Sequence, residues 1–204
     1  MLNKIAYCFW MVMILILAIT NVAMANDYSN EGAWVYELQV VYPISGSYIS
    51  DFGIGMQGKY YMNEYFHVGW YTPVRSIFPL EQKREDSVKV NYDIQAKLMG
   101  VVGCTLDTEF IMLDASVLAG WRYWWTKSSI HNDTYNIHGS YKSSTTSYEW
   151  GVMSTMRWKV GETFGFQDQP GGINVDMYVY LPMTEGLNQC LGGAEVALGL
   201  SYMY

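Results

Sequence analysis

Long hydrophobic runs are missing from this 204-residue chain beyond its first 25 residues, although 50% of the residues are hydrophobic and 16% are aromatic. A soluble core accommodates such a dispersed apolar composition poorly. Basic residues are also few: 12 against 19 acidic ones give a formal net charge of −7, which argues against a nucleic-acid partner. The sequence has no CxxC, HExxH, P-loop or dinucleotide fingerprint, so we predict neither a cofactor nor a metal site.

The N-terminus has the layout of a secretory signal. Met1–Lys4 carries one positive charge, residues 5–20 are mostly apolar, and Ala23 and Ala25 form an A-x-A cleavage site. The alternative is an uncleaved membrane helix, but the apolar run is short against the ~20 residues that a span needs. We therefore predict a signal peptide at 1–25 and one exported domain at 26–204, with 179 residues left after 25 are removed from 204.

Apolar and polar residues alternate with a period of two in eight segments of the exported part. The segments cover 34–42, 48–60, 65–72, 88–98, 111–125, 148–160, 173–181 and 196–204. A two-residue period places one set of side chains on each face of a β-strand. Eight such segments, with few helical patterns competing, predict an all-β, antiparallel, eight-stranded up-and-down barrel. The connections that would face outside are mostly the longer ones, and the longest, at 126–147, is rich in Ser, Thr, Asn and Tyr.

The two faces of these strands differ in chemistry. One face is apolar, with aromatic residues near both strand ends, which predicts two aromatic girdles at the membrane interfaces: Trp34, Tyr60, Trp121, Tyr123, Trp125, Trp150 and Trp158. The other face predicts a charge network inside the barrel: Glu37, Asp51, Lys59, His67, Lys89, Asp93, Lys97, Asp114, Arg122, Glu149, Arg157, Lys159, Asp176 and Glu195. The alternative is a soluble barrel of lipocalin type, which would bury the aromatic face instead.

Eight strands enclose a lumen only about wide enough for their own side chains, so these charges are expected to pair with one another. His67 could act as a base or a ligand in such a lumen, but we expect it to be a hydrogen-bonded lumen residue. A wide pore needs ~16 strands, which leaves only a narrow channel as an alternative.

The chain ends on alternating aromatic residues, Tyr202 and Tyr204. With the signal, strand count, loop asymmetry and girdles, this ending resembles the small bacterial outer-membrane β-barrel proteins of the OmpA-transmembrane, OmpX and opacity-protein kind. The resemblance implies that the barrel-assembly machinery reads Tyr202 and Tyr204. It also implies an outer-membrane location, contact with outer-membrane lipid and lipopolysaccharide, and outer loops that meet host or environmental ligands. The implied role is non-enzymatic, in envelope structure or in surface interaction and adhesion.

Two further expectations concern chemistry. His138 and Ser140, with Glu149 downstream, faintly resemble the His-x-Ser plus Glu arrangement of outer-membrane lipid A deacylases, which leaves a lipid A-modifying enzyme as a third alternative. Cys104 and Cys190 are expected at opposite rims of the barrel. A hydrocarbon layer of ~25 Å would separate them, whereas a disulfide requires Cα atoms within ~7 Å, so we predict no bond between them.

Overall fold

The computed structural model describes residues 31–44, 52–75, 82–84, 88–108, 110–132, 137–161, 172–184 and 194–203. The predictions for the signal peptide, Asp51, Cys190 and Tyr204 lie outside the described residues. Over the ranges that are described, no helix is long and apolar enough to cross a membrane.

Within these described ranges, nine strands form one antiparallel sheet. They are β1 Trp34–Pro43, β2 Gly53–Tyr61, β3 Phe66–Arg75, β4 Gln82–Arg84, β5 Val88–Asp107, β6 Ile111–Asn132, β7 Ile137–Gly161, β8 Gly172–Pro182 and β9 Glu195–Met203. Sequence neighbours pair along the sheet, β1 pairs with β9, and β3 pairs with β5. These last two pairings close β1–β3 and β5–β9 into an eight-stranded barrel, while the three-residue β4 pairs only with the upper part of β5. The predicted fold class is confirmed.

The barrel is polar inside and apolar outside. Along β1, the side chains of Leu38 and Val40 are exposed on the outer surface, whereas Glu37 and Gln39 are buried in the lumen. The same alternation leaves Leu198 of β9 62% exposed. This arrangement is the inverse of a soluble barrel, whose apolar face lies inside, so the lipocalin-type alternative does not describe the chain.

The two rims of the barrel differ. At the lower rim, where β1 begins and β9 ends, β2 and β3 are joined by a tight turn, as predicted around Asn63. The Oδ1 atom of Asn63 accepts hydrogen bonds of 2.9 Å from the backbone N–H groups of Tyr65 and Phe66. An Asn side chain that bonds its own backbone two residues on is a common way to fix such a turn.

At the upper rim, three strands continue past the closed barrel. β5, β6 and β7 have 20, 22 and 25 residues, whereas the other barrel strands have 9 to 11. Pairing of β3 with β5 ends at Gln95, and pairing of β7 with β8 ends at Gly151. We call the projecting part, residues 88–94, 125–132 and 137–144, the ribbon. Its eight residues on β6 extend about 26 Å along the strand, at ~3.3 Å per residue.

The ribbon corrects two predictions. Most of 126–147, predicted as a hydrophilic surface loop, is a regular hairpin of β6 and β7. Lys89, predicted in the lumen, lies in the ribbon above the barrel. The backbone register shifts between Val90 and Tyr92, so Lys97 is opposite Arg122 but Lys89 is opposite Ser129, an odd rather than an even position of β6. A bulge inserts one residue, which reverses the alternation beyond it.

Candidate functional site

The lower half of the lumen is organised around Arg157 of β7, whose side chain is 1% exposed. Its Nε donates hydrogen bonds to Asp176 Oδ1 at 2.7 Å and to Ser201 Oγ at 3.1 Å. Its Nη1 donates to the Tyr61 hydroxyl at 2.8 Å, and its Nη2 lies 3.7 Å from Glu37 Oε2. A buried guanidinium is stable only when its donors meet such partners, so Arg157 holds β1, β2, β8 and β9 to β7.

A second chain of hydrogen bonds runs beside Arg157. Lys59 Nζ lies 2.6 Å from Asp114 Oδ2, and the Thr105 hydroxyl donates to Asp114 Oδ1 at 2.8 Å. The two ring nitrogens of His67 are 2.8 Å from Thr105 Oγ1 and 2.9 Å from Ser116 Oγ. His67 is fully buried with both nitrogens satisfied by hydroxyls, as expected for a lumen residue.

Gly103 makes the contact between His67 and Ser116 sterically feasible. A Cβ atom at Gly103 would lie 2.6 Å from both His67 Nε2 and Ser116 Oγ, closer than real Cβ contacts allow. The absence of a side chain at this inward position of β5 therefore leaves the space that the hydrogen bond occupies.

An apolar belt crosses the lumen above these groups. Its members are buried hydrophobic and tyrosine side chains from seven strands: Val41, Tyr71, Met99, Val101, Leu118, Met153, Tyr178, Tyr180 and Ala197. The rings of Tyr71 and Tyr178 meet edge to face with centroids 5.6 Å apart, a favourable aromatic geometry. The belt therefore fills the middle of the lumen with packed apolar side chains.

The upper half of the lumen holds a second ionic network, between the belt and the upper rim. Lys97 Nζ lies 2.7 Å from both Glu149 Oε1 and Glu195 Oε1. Arg75 pairs with Glu195 at 3.3 Å, and Arg122 pairs with Glu149 at 3.2 Å. The belt is tied to this network because the Tyr180 hydroxyl donates to Glu149 at 2.8 Å and the Tyr71 hydroxyl donates to Glu195 at 3.2 Å.

The two networks have opposite formal charges. The lower one has three carboxylates (Glu37, Asp114, Asp176) against Lys59 and Arg157, which leaves −1. The upper one has two carboxylates against Lys97, Arg75 and Arg122, which leaves +1. Together with the belt between them, the two networks fill the lumen with paired or packed side chains and brace the barrel.

Most of the predicted lumen charges lie where the alternation put them. Besides the residues of the two networks, Lys159 pairs with Asp107 at 2.6 Å at the lower rim, and Asp93 accepts hydrogen bonds from Trp124 and Thr126 at the upper mouth. The residue patterns did not single out Arg75 or the inward tyrosines of β2, β3 and β8. Their signal was parity: Tyr61 shares the odd positions of Lys59, and Tyr71 and Arg75 share those of His67. Tyr178 and Tyr180 share the even positions of Asp176.

The predicted girdle residues also lie on the outer surface. Trp121, Trp125 and Trp150 are exposed near the upper rim, and Trp34 near the lower rim, where its ring packs on Tyr60 with centroids 5.0 Å apart. Tyr123 stacks on Trp125 at 6.0 Å, while Trp158 is half-buried at the lower end of β7. Tyr202 lies opposite Tyr36 on β1. Its role in assembly stays a prediction.

The structure separates Ser140 from Glu149, the carboxylate of the hypothesised deacylase-like site. Ser140 is exposed in the ribbon, while Glu149 is buried in the upper network, nine positions further along the same strand. At ~3.3 Å per residue the two are separated by about 30 Å along β7. Within the described ranges, no group of three or more His, Cys, Asp or Glu side chains is placed to hold a metal ion. Cys104 is a free, exposed thiol on β5, and its lack of a bond to Cys190 stays a prediction.

One class of membrane protein combines an eight-stranded antiparallel wall, an apolar exterior ringed by aromatic residues and an ionic interior. The chain has the architecture of a small outer-membrane β-barrel. No protein-family model matches the sequence, and no curated protein is significantly similar to it.

Three solved structures similar to the chain are also barrels. One is Ail, the attachment invasion locus protein of Yersinia pestis, in complex with the heparin analogue sucrose octasulfate (12% identity, TM-score 0.44, covering 84% of this chain and 95% of Ail). Another is Neisserial surface protein A (11% identity, TM-score 0.46, covering 87% of this chain and 98% of that protein). The third is the N-terminal β-barrel domain of Pseudomonas aeruginosa OprF (11% identity, TM-score 0.43, covering 85% of this chain and 98% of that domain).

Proposed function

We propose that the chain is a non-enzymatic outer-membrane surface protein, in which a sealed barrel anchors the ribbon outside the cell for envelope structure or surface interaction. The single observation that carries this proposal is the inside-out barrel with three strands extended past one rim only. A barrel with this exterior is stable in a hydrocarbon layer, because its wall is a closed ladder of hydrogen-bonded strands and the side chains facing lipid are apolar.

The orientation follows from the unequal rims. In outer-membrane barrels the short turns face the periplasm and the longer connections face outside. The short turn at Asn63 and the hairpin between Asp107 and Ile111 lie at the lower rim, and the ribbon lies at the upper rim. The lower rim would therefore be periplasmic, and the ribbon would be presented to the surroundings of the cell.

The lumen supports an anchoring role over transport. Leu118 and Tyr180 of the belt are fully buried, as are Lys59 and Arg157 of the lower network. Opening a path would require breaking buried ion pairs, which costs ~3–5 kcal/mol for each pair that is left with an unpaired charge. We therefore favour surface presentation over the narrow channel as the function.

Membrane fractionation and gel migration test this proposal. The protein should be recovered with outer membranes, and its migration on gels should change on boiling, because a closed barrel resists detergent until heated. A chain recovered from the soluble periplasm with identical migration before and after boiling would contradict the proposal.

A further inference from the structure

Two lysines lie directly opposite each other in the ribbon. Lys127 of β6 and Lys142 of β7 are register partners, so their Cβ atoms are about 5 Å apart on the same face of the sheet. Like charges directly opposite each other on neighbouring strands are destabilising. No carboxylate pairs with either ammonium group among the described residues, although acidic residues outnumber basic ones in the chain by 19 to 12.

The face that carries these lysines continues the lipid-facing surface. Along β6, Trp121, Tyr123, Trp125 and Lys127 occupy successive positions of one face. Their partners on β7 include Tyr148, opposite Trp121, and Lys142, opposite Lys127. The lysines therefore lie one alternation step, about 7 Å along the strand, beyond the last aromatic ring of the upper girdle. Aromatic rings mark the interface, so Lys127 and Lys142 lie at the depth of lipid head groups.

The backbone register brings a second lysine pair to the same part of the ribbon. Lys83 of β4 is opposite Lys89 of β5, and Lys89 is in turn opposite Ser129 of β6, two positions from Lys127. Four of the chain's 12 basic residues are thus backbone register partners, two by two, within four adjacent strands.

We propose that the Lys127–Lys142 pair binds the phosphate groups of lipid A in the outer leaflet. An anion between the two ammonium groups removes their mutual repulsion, and a lipid whose acyl chains lie against Trp121 and Tyr148 would place its phosphates at this height. The inference rests on the proposed membrane location and orientation, and it names the lipid that the ribbon recognises.

Lipid A titrations of the full-length chain, purified in zwitterionic detergent, test the pair. Lys127→Gln/Lys142→Gln should weaken binding of bisphosphorylated lipid A about 30-fold, which corresponds to ~1 kcal/mol for each lysine lost near a charged head-group layer. Lys127→Arg/Lys142→Arg should retain binding. Lys159→Gln removes the same charge at the lower rim and should leave the affinity unchanged. Wild-type binding should also fall when dephosphorylated lipid A replaces the bisphosphorylated form.

Three results would overturn the inference: equal affinity for phosphorylated and dephosphorylated lipid A, unchanged affinity of the Gln double variant, or lysine-dependent binding of soluble heparin without binding of lipid A. Migration on gels with and without boiling keeps this test separate from the proposed function. Variants that shift on boiling are folded barrels, so a loss of lipid A binding in them reports the site. A wild-type chain that does not shift contradicts the proposed function itself.

Discussion

Replacing Arg157 by Met should destabilise the barrel more than any other single change of a lumen charge. Arg157 is 1% exposed and contacts Asp176 at 2.7 Å, Tyr61 at 2.8 Å and Glu37 at 3.7 Å. Removing the guanidinium leaves the buried carboxylates of Glu37, Asp114 and Asp176 with Lys59 as their remaining basic partner. Breaking a buried ionic group in this way costs ~3–5 kcal/mol of the free energy of unfolding.

Urea titration of the refolded protein, followed by its tryptophan fluorescence, measures this change. The matched control is Arg122→Met, since Arg122 is 25% exposed and pairs with Glu149 at 3.2 Å. A partly exposed pair contributes about 1 kcal/mol or less. Equal losses for the two variants, or a loss below about 1 kcal/mol for Arg157→Met, would refute the central role of Arg157.

A second replacement tests whether the loss comes from unpaired charge. Asp176→Asn in the Arg157→Met background removes one of the carboxylates that lost its partner. The double variant should therefore be more stable than Arg157→Met alone, with a coupling energy of ~1–3 kcal/mol between the two positions. Additive losses would show that Arg157 acts through its packing volume and not through its charge.

Two further predictions concern the outer surface and the belt. Val117→Arg places a charge on the lipid-facing side of β6 and should cost ~2–4 kcal/mol near the bilayer midplane, whereas Val117→Leu in the same urea titration should be nearly neutral. In planar bilayers the wild-type barrel should show no conductance steps. Met99→Ala/Leu118→Ala, which truncates two side chains of the belt, should introduce small steps. Steps in the wild type would contradict the sealed lumen.

The wall of the barrel could be predicted from the sequence because lipid and lumen impose opposite chemistry on alternate residues. Lys59 and Met56 on β2, or Asp114 and Val117 on β6, lie on the predicted faces. A one-residue slip would move every side chain to the wrong face, so a period of two specifies the fold strongly.

Three features escaped prediction for physical reasons. Along the β7 part of the ribbon both faces are polar, so Ser143, Ser144 and Thr145 show no alternation and resemble a loop. The bulge before Tyr92 cannot be recognised from the composition, yet it shifts the register of Lys89 against β6 by one residue. The apolar belt was not predicted, because its inward residues, such as Met99 and Val101, are themselves apolar. Alternation disappears when both faces of a strand are hydrophobic.

Cysteine labelling on intact cells tests the central claim, a membrane-spanning barrel with its ribbon outside, most directly. In a Cys104→Ala/Cys190→Ala background, Ser140→Cys would lie in the ribbon and Glu64→Cys in the lower turn, both at exposed positions. A membrane-impermeant maleimide should label Ser140→Cys on intact cells and Glu64→Cys only after the outer membrane is permeabilised. The reverse pattern would invert the orientation, and equal labelling of both positions on intact cells would contradict the membrane-spanning barrel.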